Sequence, residues 1–426
     1  MSRRRIAVVG GGVAGLTAGY ILAQHADVTL YEADSRLGGH AHTHELLDDD
    51  GQSVSVDTGF IVHNERTYPN LLRLFTELGV ATQESEMSMS VSCGGCGLEY
   101  AGARGLGGLF PSARNVANPR YLYLLTEVLR FHRQARALLA ETPPGLQQTG
   151  PQESMDDFLA RGRFSSYFRL HFVTPLISAV WSCSPELAGR YPARYLFEFL
   201  SNHGMLSVTG TPQWRTVVGG SASYVERAAK QLSAVQTTTP VRAVTRTGSG
   251  VEVRDDADQV AGFDSIVIAT HPHQALTLLT DPTAAERDTL AAIEYSLNPT
   301  SLHSDTSVLP RAKRAHSSWN YFLPSCEASA SKVHVTYDMN RLQRLNSRTR
   351  YLVTLNDEGA VAPEKVLDRM LYEHPIFTPE SVAAQAGLPA LNDGTVAFAG
   401  AYHGWGFHED GCRSGVEAAL SLGSRW

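Results

Sequence analysis

Three glycines, at positions 10, 12 and 15, carry the first chemical signal of this chain, because they offer backbone rather than side chain to a ligand. They lie in Gly10-Gly11-Gly12-Val13-Ala14-Gly15, between the apolar run 6–9 and a stretch in which Leu16, Ala18, Ile21 and Leu22 recur at helical spacing. The run reads as a buried parallel strand and the periodic stretch as a helix. Gly10 permits the tight turn between them, Gly12 lets backbone approach a pyrophosphate, and Gly15 lets the helix pack closely on the strand, with Ala14 in the same loop. The N–H groups of the helix start then face the phosphates. A second strand, 28–31, ends at Glu32 and Ala33, where the carboxylate is placed to accept hydrogen bonds from an adenosine ribose and disfavours a 2′-phosphate.

The residues that follow point to one dinucleotide in particular. Arg36-Leu37-Gly38-Gly39 is an R-x-G-G element that resembles the flavin amine oxidase and phytoene desaturase superfamily, in which it lies along the FAD pyrophosphate. The glycine pair allows close approach to that anion, and Arg36 supplies charge. His40 stands where the superfamily pattern usually has arginine. Residues 395–423 repeat the strand, glycine, helix order, with the helix expected from about Gly411. By resemblance, Gly400 lies near the ribityl chain, and His408 and Glu409 precede the helix whose N-terminus faces the flavin ring and stabilises negative charge on it. Ala401 replaces a carboxylate that many relatives carry. The resemblance also implies that Val241 contacts adenine through its backbone, that strand 263–270 ends beside the dinucleotide, and that Thr58, Gly59 and Phe60 pass the isoalloxazine. Cys412 falls inside the helix start rather than where covalent relatives carry their cysteine, so non-covalent FAD is expected.

The resemblance extends over nearly the whole chain. The stretches at 56–70, 199–206, 213–225 and 317–321 are similar to a bacterial branch of predicted FAD-binding oxidoreductases, often encoded beside methyltransferases that modify fatty acyl chains. It implies an α/β fold: a Rossmann-like, glutathione-reductase-like FAD-binding domain with an interleaved α+β substrate domain, as in amine oxidases. The FAD domain is expected from 1–65, 215–285 and 390–426, and the substrate domain from 66–214 and 286–389. The clearest amphipathic helix is 119–139, with Tyr121, Leu122, Leu125, Val128, Leu129 and Leu139 on its apolar faces and Arg130, Arg133 and Arg136 on a polar one. That helix is the candidate for a peripheral membrane contact or an acyl channel. Residues 141–151, rich in proline and glycine, read as a surface linker.

A flavin carries the hard chemistry itself and asks few side chains of the protein. No catalytic residue is assigned. The candidates are His63, His403 and His408, on segments that the resemblance delivers to the ring, with Trp405 beside them. Trp319, Asn320 and Tyr321 wall a substrate cavity or fill a core. Lys313, in the region where many amine oxidases place a lysine, is flanked by Arg311 and Arg314 and reads as surface.

The five cysteines are odd in number and scattered, which suits a reducing cytoplasm. Only Cys93 and Cys96 form a C-x-x-C, in SCGGCG between strand-like runs 88–92 and 98–101; a hairpin turn is expected there, and with no second ligand pair evident, no metal. A net charge of -7 excludes nucleic acid as the expected partner. No apolar run approaches the roughly 20 residues of a membrane span. Ser2-Arg3-Arg4-Arg5 superficially resembles a twin-arginine signal, yet leads into a strand and phosphate loop rather than a removable apolar segment. The expected protein is cytoplasmic, with a small apolar or lipid substrate and an oligomeric state the sequence leaves open. The leading activity is FAD-dependent hydride transfer, oxidising, desaturating or reducing a lipid-like, fatty acyl substrate. The alternatives are amine oxidation, redox-neutral double-bond isomerisation, and a non-catalytic flavoprotein partner of a lipid-modifying methyltransferase.

Overall fold

A computed structural model describes residues 3–141, 153–206, 211–327 and 332–426; the linker expected at 141–151 lies, from 142 on, outside the described residues. Two sheets organise it. The first is fully parallel, in the order Ala234–Gln236, Ala26–Tyr31, Arg4–Val9, Ser265–Ile268, Val396–Phe398. Its centre is the expected run 6–9, and alternation sorts that run between two cores. Ile6 and Val8 pack with Val28, Leu30 and Val267 under the helices Val13–Leu22 and His408–Ser421. Ala7 and Val9 pack with Ile266, Ile268 and Phe398 on the other face, where the antiparallel strands Val241–Thr247, Gly250–Asp255 and Val260–Phe263 provide cover. A strand buried on both faces must be apolar throughout, which is why the sequence shows a run rather than alternation.

The two ends of the chain meet in this layer. The C-terminal helix lies on the first helix because Gly411 and Gly415 present no side chain; a Cβ at Gly411 would come within 2.7 Å of Val13 Cγ1. This helix begins at His408, not at Gly411, since Asp410 accepts a hydrogen bond from the Phe407 N–H at 3.0 Å and closes the first turn early. His408 and Glu409 therefore belong to the helix instead of preceding it.

The second sheet has seven strands in the order Val366–Pro375, Tyr295–His303, Leu352–Leu355, Val335–Asp338, Trp319–Leu323, Met89–Cys93, Glu99–Gly102. Only the Trp319–Leu323 and Met89–Cys93 pair is parallel. Helices Pro119–Ala140, Met155–Arg161, Thr174–Trp181 and Ala193–Asn202 join it through a phenylalanine cluster, in which Phe131 lies edge-on to Phe158 and Phe197. The expected helix 119–139 is the first of these, started by the Asn118 side chain accepting from the Arg120 and Tyr121 N–H groups. Its buried stripe is Tyr121, Leu124, Phe131 and Ala135. Leu125, Val128 and Leu139 pack at the margin of that stripe, whereas Leu122 and Leu129, also expected on an apolar face, are 42% and 62% exposed.

Candidate flavin site

A cavity of about 720 Å³ runs between the two sheets, and both glycine turns line it. At one end Gly10, in a left-handed conformation at φ 103°, turns the chain from strand to helix. Gly12 is the helix N-cap and has no side-chain capping partner, so the first N–H groups of the helix are left for an anion. A Cβ at Gly12 would meet no protein atom within 4 Å, which means its glycine leaves room for a ligand. The second pair, Gly38 and Gly39, is also left-handed, and Gly38 N–H donates to Gly11 O at 2.8 Å, lacing the two turns together. Glu32 accepts from Gly11 N–H at 2.7 Å and from Asp34 N–H at 2.9 Å, so it fixes the loop while lining the cavity with Ala33, Ala14 and Val241.

At the other end the lining is Thr58, Gly59, Phe60, Gly400 and His408. A Cβ on Gly59 would fall inside the His40 carbonyl oxygen, and the adjacent Phe60 N–H donates to that same oxygen at 2.6 Å. The His408 ring stacks on Phe60 at 3.8 Å and 6°, and its Nε2 is 2.6 Å from Tyr224 Oη. Burial pushes His408 down to about 3 and His374 to about 4, and holds His40 well below the ordinary histidine range. At neutral pH these three histidines are polar but uncharged. His40 Nε2, Tyr402 Oη and Trp319 Nε1 are buried, line the cavity and have no partner within the protein. Buried polar atoms are normally satisfied, so such a set calls for a ligand with polar edges. An uncapped helix start, laced glycine turns and orphaned donors at the far end together fit a flavin dinucleotide.

Several expected site residues fall outside this lining. Gly15 packs beneath the loop against the Gly10 carbonyl. Arg36 pairs with Asp34 at 3.5 Å. Glu409 turns away: its carboxylate accepts from Asn70 N–H at 3.0 Å, Asn70 Nδ2 at 2.6 Å and Leu71 N–H at 3.0 Å, capping the helix Pro69–Leu78. His63 is buried behind the wall against Phe75, and His403 packs against Tyr402, so neither reaches the cavity. Trp405 donates nothing there; its carbonyl accepts from Trp181 Nε1 at 3.0 Å. Cys412 contacts Thr17 Oγ1 at 3.5 Å and lies outside the lining. Lys313 is in a short exposed turn.

The structure adds residues that the sequence alone did not single out. His40 stacks on Tyr372 at 5.0 Å and meets His374 edge-on at 5.3 Å. Tyr372 and His374 are two apart on one strand, so the period of two that places both on one face was the available signal. Beyond the ring end, Trp181, Phe199, Trp214, Trp319, Tyr337 and Phe407 form an aromatic chamber. Among the described residues lining the cavity the carboxylates are Glu32 and Glu373, the latter paired with His271 at 2.7 Å, and there is no lysine.

Comparison with known proteins agrees with this geometry. The sequence pattern of the flavin containing amine oxidoreductase family matches residues 13–302. Carotenoid phi-ring synthase of Streptomyces griseus is 30% identical over 275 residues, which are 62% of this chain and 52% of that protein. The chain thus spans about half the length of the curated relatives it matches. Among solved structures, a putrescine oxidase mutant from a redesign of cofactor binding superposes with a TM-score of 0.71 at 17% identity, covering 99% of both chains. A fatty acid isomerase of P. acnes that produces CLA gives 0.67 at 16% identity, covering 97% of both. The chain belongs to the flavin-containing amine oxidoreductase family, and is by that membership an FAD-dependent oxidoreductase with the Rossmann-like fold its glycine turns announce.

Proposed function

We propose that the protein transfers hydride between FAD and an apolar, lipid-like substrate held in the aromatic chamber. The observation that carries this reading is the chamber wall: aromatic rings with Met87, Met205 and Leu355 and, among its described residues, no unpaired carboxylate to hold a cation. An amine substrate is cationic before it reacts and needs an acidic or aromatic cage; without a carboxylate, only the faces of the rings would offset the cost of burying its charge. When bound, FAD supplies the two-electron acceptor or donor of the reaction. The chain's own residues bind, orient and exclude water. The uncapped helix start at Gly12 and the Gly38-Gly39 turn hold the pyrophosphate. Phe60 and Tyr224 fix the His408 ring, and the neutral His40 and His374 offer hydrogen bonds without adding charge.

The relatives support the substrate class, since one is named for a carotenoid ring and another is described as a fatty acid isomerase. The second of these also favours a redox-neutral variant of the reading, in which hydride returns to the same molecule. The test is anaerobic mixing of the flavin-loaded protein with unsaturated phospholipid or fatty acid in one arm and putrescine in the other. Loss of the flavin's visible colour with lipid alone is expected. Product formed from lipid without lasting colour loss and without acceptor identifies isomerisation. Bleaching by putrescine, with peroxide release once air is admitted, and none by lipid, overturns the proposal. Acid precipitation should release the flavin intact, as expected of non-covalent FAD.

A further inference from the structure

The C-x-x-C turn has the partners that the sequence did not reveal. Cys326, from the loop after strand Trp319–Leu323, and His171, from the π-helical segment Arg169–Val173, both close on Cys93 and Cys96. We propose that these four residues bind one zinc ion as a closed structural site. Their ligand atoms all lie within 4.8 Å of one another. Cys93 Sγ is 3.6 Å from Cys326 Sγ, and His171 Nε2 is 3.4 Å from Cys96 Sγ and 3.8 Å from Cys326 Sγ. Tetrahedral zinc with Zn–S near 2.3 Å and Zn–N near 2.0 Å sets ligand atoms about 3.8 Å apart for S···S and about 3.5 Å for S···N. The three closest spacings fall within about 0.3 Å of those edges.

The surroundings are built to hold it. His171 Nδ1 is 3.0 Å from the Tyr167 carbonyl, which fixes the proton on Nδ1 and leaves the Nε2 lone pair facing the thiols. The ring is further clamped by stacking on Tyr167 at 4.0 Å. Both glycines inside the C-x-x-C are required by the Cys326 loop: a Cβ at Gly94 would lie 2.8 Å from Pro324 O, and one at Gly95 2.7 Å from Cys326 N. The turn is closed by Gly97 N–H donating to Cys93 O at 2.9 Å and anchored to the end of the strand Trp319–Leu323 by Gly94 N–H donating to Leu323 O at 2.8 Å. With four protein ligands no position is open for substrate, which marks a structural rather than a catalytic metal. None of the four lines the flavin cavity. Trp319, at the other end of the strand whose Leu323 pairs with Cys93, does line it, so the ion would hold the sheet edge and the helical layer together behind the chamber. Zinc enters as the divalent ion and displaces the thiol protons, with no redox step.

Elemental analysis of the flavin-loaded protein, purified without chelator, tests the site independently of the reaction. About one zinc per chain is expected, and X-ray absorption at the zinc edge should show three sulfur neighbours near 2.3 Å and one nitrogen near 2.0 Å. Cys96→Ser and Cys326→Ser should each lower zinc content about tenfold or more while flavin per chain stays unchanged. Three results overturn the proposal: protein that retains no zinc and takes none up when it is added, a zinc shell of nitrogen and oxygen alone, or a Cys93–Cys326 disulfide found by mass mapping. The absorption measurement is made on the unaltered chain, so it decides the matter even if the serine variants fail to fold.

Discussion

Gly12, the N-cap of the helix Val13–Leu22, and Gly15, in its first turn, stand three residues apart and answer to different neighbours, which substitution separates. A methyl at Gly15 would enter the Gly10 carbonyl, whereas a side chain at Gly12 would enter only the cavity. Gly15→Ala is expected to lower stability by about 3 kcal/mol or more through overpacking, with or without flavin. Gly12→Val should cost the flavin-free protein no more than about 1 kcal/mol, the penalty of a poor N-cap, yet abolish retention of flavin. Denaturant unfolding of both apoproteins, alongside the flavin-to-protein absorbance ratio, checks this; a Gly12 variant that keeps its flavin would remove the pyrophosphate assignment. Such backbone sites are legible in sequence because the need for glycine is local. His40 was visible only as a departure from a pattern, since its partners Tyr372 and His374 come from a strand more than 300 residues away.

Elements show the same division between what is local and what is not. Four strands of the parallel sheet and the helix Pro119–Ala140 were readable from runs and periodicity, the short edge strand Ala234–Gln236 was not, and the direction each residue faces depended on what covers it. Glu409 is the sharpest case. Its position at the C-terminal helix suggested a cofactor contact, but its three hydrogen bonds reach a helix start 338 and 339 residues earlier in the chain. No local pattern encodes a cap supplied from that distance. Here Tyr68, the residue before the helix Pro69–Leu78, provides no side-chain cap, and Glu409 takes over the task. Glu409→Ala is accordingly expected to cost about 1–2 kcal/mol, as loss of a helix cap does, and to leave flavin affinity unchanged. Flavin titration of the variant is the decisive measurement: an affinity loss of tenfold or more would return Glu409 to the cofactor site. The C-x-x-C hairpin was equally legible as a turn, and its fellow ligands His171 and Cys326 were not, for the same reason of distance.

At the scale of the whole molecule, the cavity wall and its backing bury histidines in numbers that couple folding to pH. Burial lowers His63, His203 and His374 to about 4 and His403 and His408 to about 3, from an ordinary value near 6.5. Between pH 6.5 and those values the unfolded chain binds protons that the folded chain refuses, so stability is complete above about 6.5 and is lost as pH falls towards the folded values. Carboxyls raised by burial act in the opposite sense, Asp338 and Glu409 among them, and the two largest shifts weigh most. Asp57 and Asp410 are raised to about 6 by burial, so the folded chain holds their protons between about pH 4 and 6, which favours folding in acid. A tenfold change in proton affinity is worth about 1.4 kcal/mol, so five imidazoles weakened about a hundredfold or more outweigh two carboxyls strengthened about a hundredfold. The flavin-free protein should therefore show a thermal midpoint that falls continuously from pH 7 to pH 4, earlier than carboxylate protonation alone would bring. A scan at half-unit steps distinguishes the cases: a midpoint that stays level or rises down to pH 5 would mean that the histidines are hydrated and charged, and that the wall of the cavity is not the dry, neutral surface an apolar substrate requires.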